Sequence, residues 1–401
     1  MSTFFKSNYT MKFFKLFIFI LLLTPFLLVA QIKTGAERTD VYIPKLKNKR
    51  VAICGNQTSV IGNTHLIDTL LSLKINIVKL FAPEHGFRGD AEAGAHIKSG
   101  VDSKTGIPII SLYGSNKKPT KEQMQNIDIL IFDIQDVGCR FYTYISTLHY
   151  VMEAAAENNV NVIILDRPNP NGYFVDGPVL EEKFKSFVGM HPVPVVHGMT
   201  IGEYGMMING EQWLKNKIIC DLEVINISGY DHTMRYALPV APSPNLTTDP
   251  SIYLYPTLCF FEGTVVSLGR GTPIPFQIYG NPLFKDGDFY FTPQPIKGVS
   301  ENPPLNGKKC RGFNLTDYAK ENLEKSNRIH IEIIKQAYSL YPDSASFFSN
   351  SQFFDKLAGN STFRWQIIKG KSEEEIRNSW QKGISEFKKI RKKYLLYPDF
   401  E

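Results

Sequence analysis

The 401-residue sequence lacks the short motifs that identify several large enzyme classes. It contains neither a G-x-G-x-x-G nor a G-x-x-x-x-G-K-[ST] pattern, which excludes the common glycine-rich loops that hold phosphate groups. It also contains no H-E-x-x-H pair and no G-x-S-x-G elbow, so the usual signatures of zinc peptidases and serine hydrolases are missing. The chemistry of the chain must therefore come from other residues.

The sequence is also poor in cysteine and in net charge. Its five cysteines are dispersed and form no C-x-x-C pair, so they indicate neither a disulfide framework nor a metal site. We expect most of them to be buried thiols, because Cys54 and Cys259 lie within apolar runs. The net charge of +6 falls to +3 without the three lysines of the first thirty residues, and so small an excess does not indicate nucleic-acid binding.

A long apolar stretch lies within the first thirty residues. Lys12 and Lys15 precede a nearly unbroken apolar run over residues 16–29, which ends at Ala30 before a polar segment. This arrangement predicts a signal peptide over residues 1–30, cleaved near Ala30, and hence an exported protein, periplasmic or secreted. An uncleaved signal anchor is the alternative, because the run approaches the roughly 20 residues that span a bilayer.

Strand-like and helix-like segments alternate from residue 51 onward. Apolar runs predict strands near residues 51–54, 77–81, 109–113, 129–134, 162–165 and 222–227, and capping boxes at Thr120 with Gln123 and at Thr200 with Glu203 predict helix starts. The alternation predicts an α/β fold with a Rossmann-like, doubly wound, mostly parallel sheet over residues 31–215. The proline-, glycine- and aromatic-rich stretch of residues 236–304 and the helical segments after it predict a smaller α/β domain over residues 216–401 that covers the cleft.

Residues 82–90 directly follow the predicted strand at 77–81 and carry an acid, an imidazole and a guanidinium, those of Glu84, His85 and Arg88. One proline and two glycines within these nine residues indicate a closely turning, fixed backbone. In an open α/β sheet, ligands bind at the carboxyl ends of the strands. We therefore predict that Glu84 is the chemical centre of the protein and acts as a general acid or base.

Other polar residues follow the neighbouring predicted strands. Asn56, Asp133 with Asp136, and Asp166 come at or just after strand ends, so a parallel sheet brings them to the same edge as Glu84. Because an unpaired carboxylate is costly to bury, Asp133 must meet either a substrate or an internal partner. Arg140 and Arg167 are the alternatives for an internal ion pair with Asp133.

Three groups of residues are predicted to bind a ligand. Arg140 lies beside Tyr142 and Tyr144, and such a combination suits a sugar site, because rings stack on the apolar face of a sugar while polar groups bind its hydroxyls. Two tyrosines in a core would give the same pattern. Asp166 and Arg167 belong to the predicted edge, although their segment is also a good turn. Arg270 lies between two glycines, so its guanidinium can approach a carboxylate closely and hold it with two hydrogen bonds.

The histidines give little support for a metal site. No two of the eight histidines stand at i, i+4 with an acid between them. His85 and His96 with Asp90 are the combination that remains open. We predict neither a metal nor a cofactor.

Several long motifs occur in one order along the chain. They are PEHGFRG at 83–89, FDIQDVGCRFYTY at 132–144, LDRPNP at 165–170, HGMTIGE at 197–203, PSPN at 242–245, FEGT at 261–264, GRGT at 269–272 and RKKYLLY at 391–397. Together these residues resemble the NamZ-type exo-β-N-acetylmuramidases of bacteria, and the resemblance spans nearly the whole chain after residue 30. Cys139 stands where a small alanine is expected, which is a mild change in size and affects no catalytic group.

The resemblance implies a glycoside hydrolase that removes terminal N-acetylmuramic acid from the non-reducing ends of peptidoglycan fragments, in a cleft between a Rossmann-like and a smaller C-terminal domain. It implies that Glu84 is catalytic. Glycoside hydrolysis commonly uses a second carboxylate, for which Asp133 is our candidate. Asp136, Glu262 and the acetamido group of the substrate remain alternatives. The predicted substrate-binding residues are Asn56, His85, Arg88, Gln135, Asp136, Arg140, Tyr142, Asp166, Arg167, Asn169 and Arg270.

N-acetylmuramic acid carries a lactyl carboxylate, which Arg88, Arg140 or Arg270 can bind. Two other functions fit the same pattern. A non-catalytic exported sugar-binding protein would also place two α/β domains around a cleft, and a metal-dependent amide or ester hydrolase of the cell wall would need a metal site. The oligomeric state cannot be predicted from the sequence.

Overall fold

The computed structural model describes residues 31–84, 86–88, 100–322 and 327–401. The predicted signal peptide over residues 1–30 therefore lies outside the described residues, and so do His85, Asp90 and His96. Within the described part of the chain, no helix is both long and apolar enough to cross a membrane.

The described residues form twelve strands, which are β1 Val51–Gly55, β2 Val60–Ile61, β3 Thr64–His65, β4 Ile77–Ala82, β5 Gly100–Val101, β6 Pro108–Ser111, β7 Ile129–Asp133, β8 Asn161–Leu165, β9 Leu222–Ile225, β10 Ile278–Asn281, β11 Phe289–Phe291 and β12 Cys310–Asn314. The largest sheet has the order β5-β6-β4-β1-β7-β8-β9. All of its pairs are parallel except the pair of β5 with β6. This arrangement confirms the predicted mostly parallel α/β fold.

The α-helices of the described residues are α1 Thr39–Leu46, α2 Leu66–Ser72, α3 Lys121–Met124, α4 Tyr144–Glu157, α5 Ile201–Gly210, α6 Asp249–Leu258, α7 Thr316–Asn322, α8 Ile331–Leu340, α9 Ser351–Ala358, α10 Thr362–Ile368 and α11 Glu373–Arg391. Both capping boxes predicted from the sequence are present, at the starts of α3 and α5. In each box the N-cap threonine and the third helical residue satisfy backbone N–H groups that the first turn leaves unpaired.

The central strands are buried on both faces, which explains their continuous apolar sequences. Every residue of β1 and β7 is buried. Successive side chains of a strand point to opposite faces, so Ala52 and Cys54 pack with α4 and α5, whereas Val51 and Ile53 pack with α1 and α2. Helices thus cover both sides of the sheet, and all five cysteines are buried free thiols, as expected.

A smaller antiparallel sheet, with the order β10-β12-β11, lies in the second half of the chain. Its surroundings, including α6 and α9, contribute to the same apolar core as one face of the large sheet. The large sheet itself continues past the domain boundary predicted after residue 215, because β9 pairs with β8. The end of the chain also returns to the first half, where the Arg391 guanidinium at the end of α11 donates to the carbonyl of Gly198.

Candidate functional site

Glu84 follows β4 by two residues, at the carboxyl edge of the sheet. The parallel pairing of β4 with β6 aligns Ala82 with Ser111, and two residues further along each strand it brings Tyr113 beside Glu84. The Tyr113 side chain is hydrogen-bonded to the Glu84 side chain, and burial together with this carboxylate raises the pKa of Tyr113 above its usual value. The phenol therefore stays protonated and donates to Glu84.

Glu84 lines a cavity of about 290 Å³ between the two halves of the chain, which we call the interdomain cavity. Among the described residues, the charged groups of its wall are Glu84, Glu262 and Arg270. Aromatic side chains supply most of the remaining wall, namely Tyr113, Tyr142, Tyr144, Tyr255, Phe141, Phe187, Phe276 and Phe353. Rings beside a few charged and hydroxyl groups form the kind of surface that binds a sugar, which has apolar faces and polar edges.

Two tyrosines support the Glu84 side of this cavity. Asn56 Nδ2 donates to the Tyr144 hydroxyl over 2.9 Å, and the Tyr144 hydroxyl donates to the Glu84 carbonyl over 3.4 Å. The Tyr142 ring meets the Tyr144 ring edge-on at 4.9 Å, and its hydroxyl donates to the Pro242 carbonyl. The predicted binder Tyr142 therefore lines the cavity, whereas Asn56 lies behind Tyr144 and supports it.

The opposite wall comes from the second half of the chain. Arg270 Nη2 lies 2.6 Å from Glu262 Oε1, and Arg270 Nε donates to the same oxygen over 3.2 Å. Gly269 has φ of 82°, and a Cβ at this position would lie 2.6 Å from Ile278, so only glycine fits beside the arginine. About a quarter of each charged side chain is exposed, which leaves both reachable from the cavity. The predicted binder Arg270 is thus part of the candidate site.

Asp133, the predicted second catalytic residue, is placed differently. Its two carboxylate oxygens accept hydrogen bonds from Arg167 Nε and Nη2 over 2.6 and 2.9 Å, and both side chains are buried. Neither residue lines the interdomain cavity. The pair is one of the two internal ion pairs that the sequence left open. The geometry gives no support to a catalytic Asp133 or a substrate-binding Arg167.

Asp166 also meets partners from the protein itself. Its carboxylate accepts hydrogen bonds from the backbone N–H of Gly202, from the Thr200 hydroxyl at the start of α5 and from the Tyr397 hydroxyl near the end of the chain. Asn169 donates to the carbonyl of Met199. These contacts connect the carboxyl end of β8 to α5 and to the C-terminal segment. Neither Asp166 nor Asn169 lines the interdomain cavity.

Gln135, Asp136 and Arg140 are buried in the same way. Gln135 donates to the Asp136 and Pro168 carbonyls, and Asp136 accepts a hydrogen bond from the backbone N–H of Gly138. The guanidinium of Arg140 donates to three carbonyls, those of Pro178, Val193 and Leu357. Leu357 belongs to the last turn of α9, so Arg140 joins the two halves of the chain and supplies positive charge where a helix end is negative. None of these three predicted binders lines the interdomain cavity.

Arg88 holds the loop that carries Glu84. Its Nε lies 2.6 Å from Asp102 Oδ1, and its Nη2 lies 3.5 Å from Asp68 Oδ1. The hydrogen bonds from Arg88 lower the pKa of Asp102 to about 2, so this pair is charged at neutral pH. Arg88 therefore anchors the loop to its neighbours and does not line the cavity. The predicted binder His85 lies outside the described residues.

Tyr113 was missed by the sequence interpretation, although its position carries a usable signal. It follows β6 just as Glu84 follows β4, and these strands are neighbours in the sheet. Tyr255 and Phe276 were missed for another reason, since they come from the second half of the chain and follow no predicted strand.

No group of three or more histidine, cysteine, aspartate or glutamate side chains in the described residues is placed to hold a metal ion.

Two family models together match most of the chain. The N-terminal model of the exo-beta-N-acetylmuramidase NamZ family matches residues 51–250, and its C-terminal model matches residues 253–397. The chain belongs to this family. The NamZ family is a family of glycoside hydrolases, so both the family and the enzyme class predicted from the sequence are confirmed. The two models meet at residues 250–253, beyond β9.

Similar proteins agree with the NamZ assignment. The chain is 43% identical over 389 residues to the peptidoglycan beta-N-acetylmuramidase NamZ of Bacillus subtilis (strain 168), and the match covers 92% of each protein. A crystal structure of a DUF1343 family protein from Bacteroides fragilis NCTC 9343 is 48% identical, with a TM-score of 0.85, and covers 92% of this chain and all of that one. A second DUF1343 structure from the same strain is 32% identical, with a TM-score of 0.77, over 91% of this chain and 99% of that one.

Proposed function

We propose that this chain is an exo-acting β-N-acetylmuramidase that releases terminal N-acetylmuramic acid from the non-reducing ends of peptidoglycan fragments. The observation that carries the proposal is the interdomain cavity, in which Glu84 faces an aromatic wall and the Glu262–Arg270 pair. Membership of the NamZ family and the activity named for the B. subtilis relative support it.

Glu84 is the proposed general acid and base. Cleavage of a glycosidic bond requires a proton on the leaving oxygen, and a carboxyl group is the usual donor. Glu84 is half-buried and lines the cavity, and its carboxylate is oriented by the Tyr113 hydroxyl. Its backbone is held through the Tyr144 hydroxyl. Such fixed contacts keep a reacting group in one geometry, which is a large part of enzymatic rate enhancement.

Two groups can assist at the anomeric carbon. Glu262 is the second acid of the cavity wall, and Arg270 holds it in place. The acetamido group of the substrate is the alternative, because it can attack its own anomeric carbon. The stereochemistry of the product separates these routes, since attack by a water that Glu262 activates inverts the anomeric centre, whereas attack by the acetamido group followed by water retains it.

Arg270 is the proposed anchor for the lactyl carboxylate. Its guanidinium has five N–H donors, and the bonds to Glu262 use two of them through Nε and Nη2. The remaining donors can bind a second carboxylate at the cavity wall. This contact would distinguish N-acetylmuramic acid from N-acetylglucosamine, which lacks the lactyl group.

The proposal is tested by product analysis with a defined disaccharide that carries N-acetylmuramic acid at its non-reducing end. Mass spectrometry should detect free N-acetylmuramic acid with the wild type and almost none with Glu84→Gln. Glu374→Gln, a change of the same kind on the exposed side of α11, should behave like the wild type. Tight binding of the disaccharide without release of either sugar over a long incubation would contradict the proposal and favour a sugar-binding protein.

We also propose that the chain is exported and that residues 1–30 are removed. The motif pattern of that segment supports this, as does a substrate that lies in the cell wall. Intact-mass analysis of the protein from periplasmic and culture fractions should give a chain that begins near Gln31. A full-length chain found with the membrane would instead identify a signal anchor.

A further inference from the structure

The interdomain cavity is small for the substrate of the proposed reaction. Its volume of about 290 Å³ is at the lower end of the roughly 300–1,000 Å³ that small-molecule sites occupy. It suits one sugar residue. An enzyme that removes a terminal residue must also accommodate the rest of the saccharide, so that part must lie outside the cavity.

Two further cavities continue from the site along the second half of the chain. The first, of about 410 Å³, shares Glu262, Arg270 and Phe353 with the interdomain cavity. The second, of about 440 Å³, shares Thr264, Val266 and Pro304 with the first. Because each cavity shares wall residues with the next, the three lie side by side in one row. We call the two outer cavities the outer groove.

The same segments of the chain line both cavities of the outer groove. The segment 264–266 contributes to both cavities, and so does the loop that contains Pro304. The first turn of α9 and the residues before it form part of the wall, through Asn350 and Phe353 in the first cavity and Ser349 in the second. Three segments of chain thus line both cavities, which indicates a formed groove and not two separate surface hollows.

The chemistry of the groove suits a saccharide. Phe353 and Leu283 offer apolar surface, and Leu283 is 57% exposed at the outer end. An exposed leucine beside a groove gains free energy when a ligand covers it. Lys308, also exposed at the outer end, supplies positive charge. This charge is complementary to the carboxylate that each further muramic acid residue carries.

We infer that the outer groove binds the part of the saccharide that lies beyond the terminal N-acetylmuramic acid, so that the enzyme acts faster on longer peptidoglycan fragments than on short ones. The inference rests on the proposed function. Binding energy gained far from the reacting bond raises kcat/KM, and a truncated substrate loses it. The bond to be cleaved would lie within the interdomain cavity, in reach of Glu84, and the saccharide beyond it would extend past Glu262 and Arg270 into the groove.

The test compares two substrates and four variants. The substrates are a chromogenic β-glycoside of N-acetylmuramic acid, which reaches only the interdomain cavity, and a peptide-free tetrasaccharide. Leu283→Asp and Lys308→Glu alter the outer end of the groove. Ile219→Asp is the matched control for the first, because Ile219 is equally exposed at 57% but lies elsewhere. Lys309→Glu is the control for the second, since Lys309 lies against the Tyr290 ring and does not line the groove.

We expect the groove variants to lose more activity on the tetrasaccharide than on the glycoside. Leu283→Asp and Lys308→Glu should lower the ratio of kcat/KM for the tetrasaccharide to that for the glycoside by about tenfold, the effect of losing one good apolar or charged contact. The two controls should keep the wild-type ratio. An equal loss on both substrates in the groove variants, or a ratio that stays at the wild-type value in them, would overturn the inference.

A failure of the proposed function is distinguishable from a failure of the groove. If the wild type hydrolyses neither substrate, the muramidase proposal fails, and calorimetric titration with the tetrasaccharide then tests the groove by itself. Tetrasaccharide binding that weakens in Leu283→Asp and Lys308→Glu, but not in their controls, would still support the groove. Unchanged binding in both groove variants would overturn it.

Discussion

Acidic side chains at the carboxyl edge of the large sheet meet two different environments. Asp133 and Asp166 are fully buried, and the protein itself supplies their partners, Arg167 for the first and Thr200, Gly202 and Tyr397 for the second. Glu84, at the same edge, instead lines an accessible cavity, whose opposite wall includes Glu262 from the second half of the chain. The position of an acid after a strand therefore indicates this edge, but the partners of the acid decide whether it supports the fold or meets a ligand.

We expect the largest loss of activity in Glu84→Gln. The change removes the proposed proton donor but keeps the size of the side chain, so we expect kcat to fall by roughly 10²–10⁴-fold with little change in the melting temperature. Steady-state kinetics on the disaccharide, whose sugar leaving group needs a proton, and a thermal unfolding scan measure the two quantities. A variant with full activity would remove Glu84 from the mechanism.

Asp133→Asn should show the opposite pattern. It leaves the buried Arg167 guanidinium without its counter-charge, and breaking a buried ion pair from one side costs about 3–5 kcal/mol of folding free energy. The molecules that remain folded should keep most of their kcat. Urea unfolding measures the loss, and Asp128→Asn, which breaks the exposed pair with Arg50, should cause a far smaller one.

An Asp133→Asn enzyme of normal stability but without activity would contradict the structural role of Asp133. In that case Asp133 would act in catalysis as predicted from the sequence, and the Arg167 contact would be a resting arrangement. Kinetics must therefore be measured at a temperature at which the variant is folded, as established by its unfolding curve.

The sequence was sufficient for the fold because the strands are buried on both faces. The runs at Val51–Gly55 and Ile129–Asp133 are apolar throughout, and this pattern is visible without any knowledge of neighbouring segments. The same pattern places Glu84 at the ligand edge. Arg140 shows the limit of this approach, since its carbonyl partners lie 38, 53 and 217 residues away along the chain. No local pattern indicates such contacts, so a buried arginine and a ligand-binding one have the same appearance in the sequence.

Arg270→Met should have an intermediate effect on activity, because Arg270 lines the cavity and is the proposed anchor for the lactyl carboxylate. We expect KM for the muramic acid glycoside to rise about 10–100-fold, as for the loss of a charge-assisted contact. Discrimination against the corresponding N-acetylglucosamine glycoside should fall by the same factor. Arg311→Met, which removes an arginine paired with the exposed Asp286, is the control and should change neither value. A higher KM with unchanged discrimination would show that Arg270 only holds Glu262.

The smallest expected effect concerns Tyr113, which has a partner inside the protein and also lines the cavity. Tyr113→Phe removes the hydroxyl that orients the Glu84 side chain but keeps the ring in the cavity wall, so we expect kcat to fall by about threefold, the effect of losing one positioning hydrogen bond. Steady-state kinetics measure this change. Tyr290→Phe, at an exposed position on β11, should keep the wild-type kcat. A Tyr113→Phe enzyme with unchanged kcat would show that the hydroxyl does not help to position the acid.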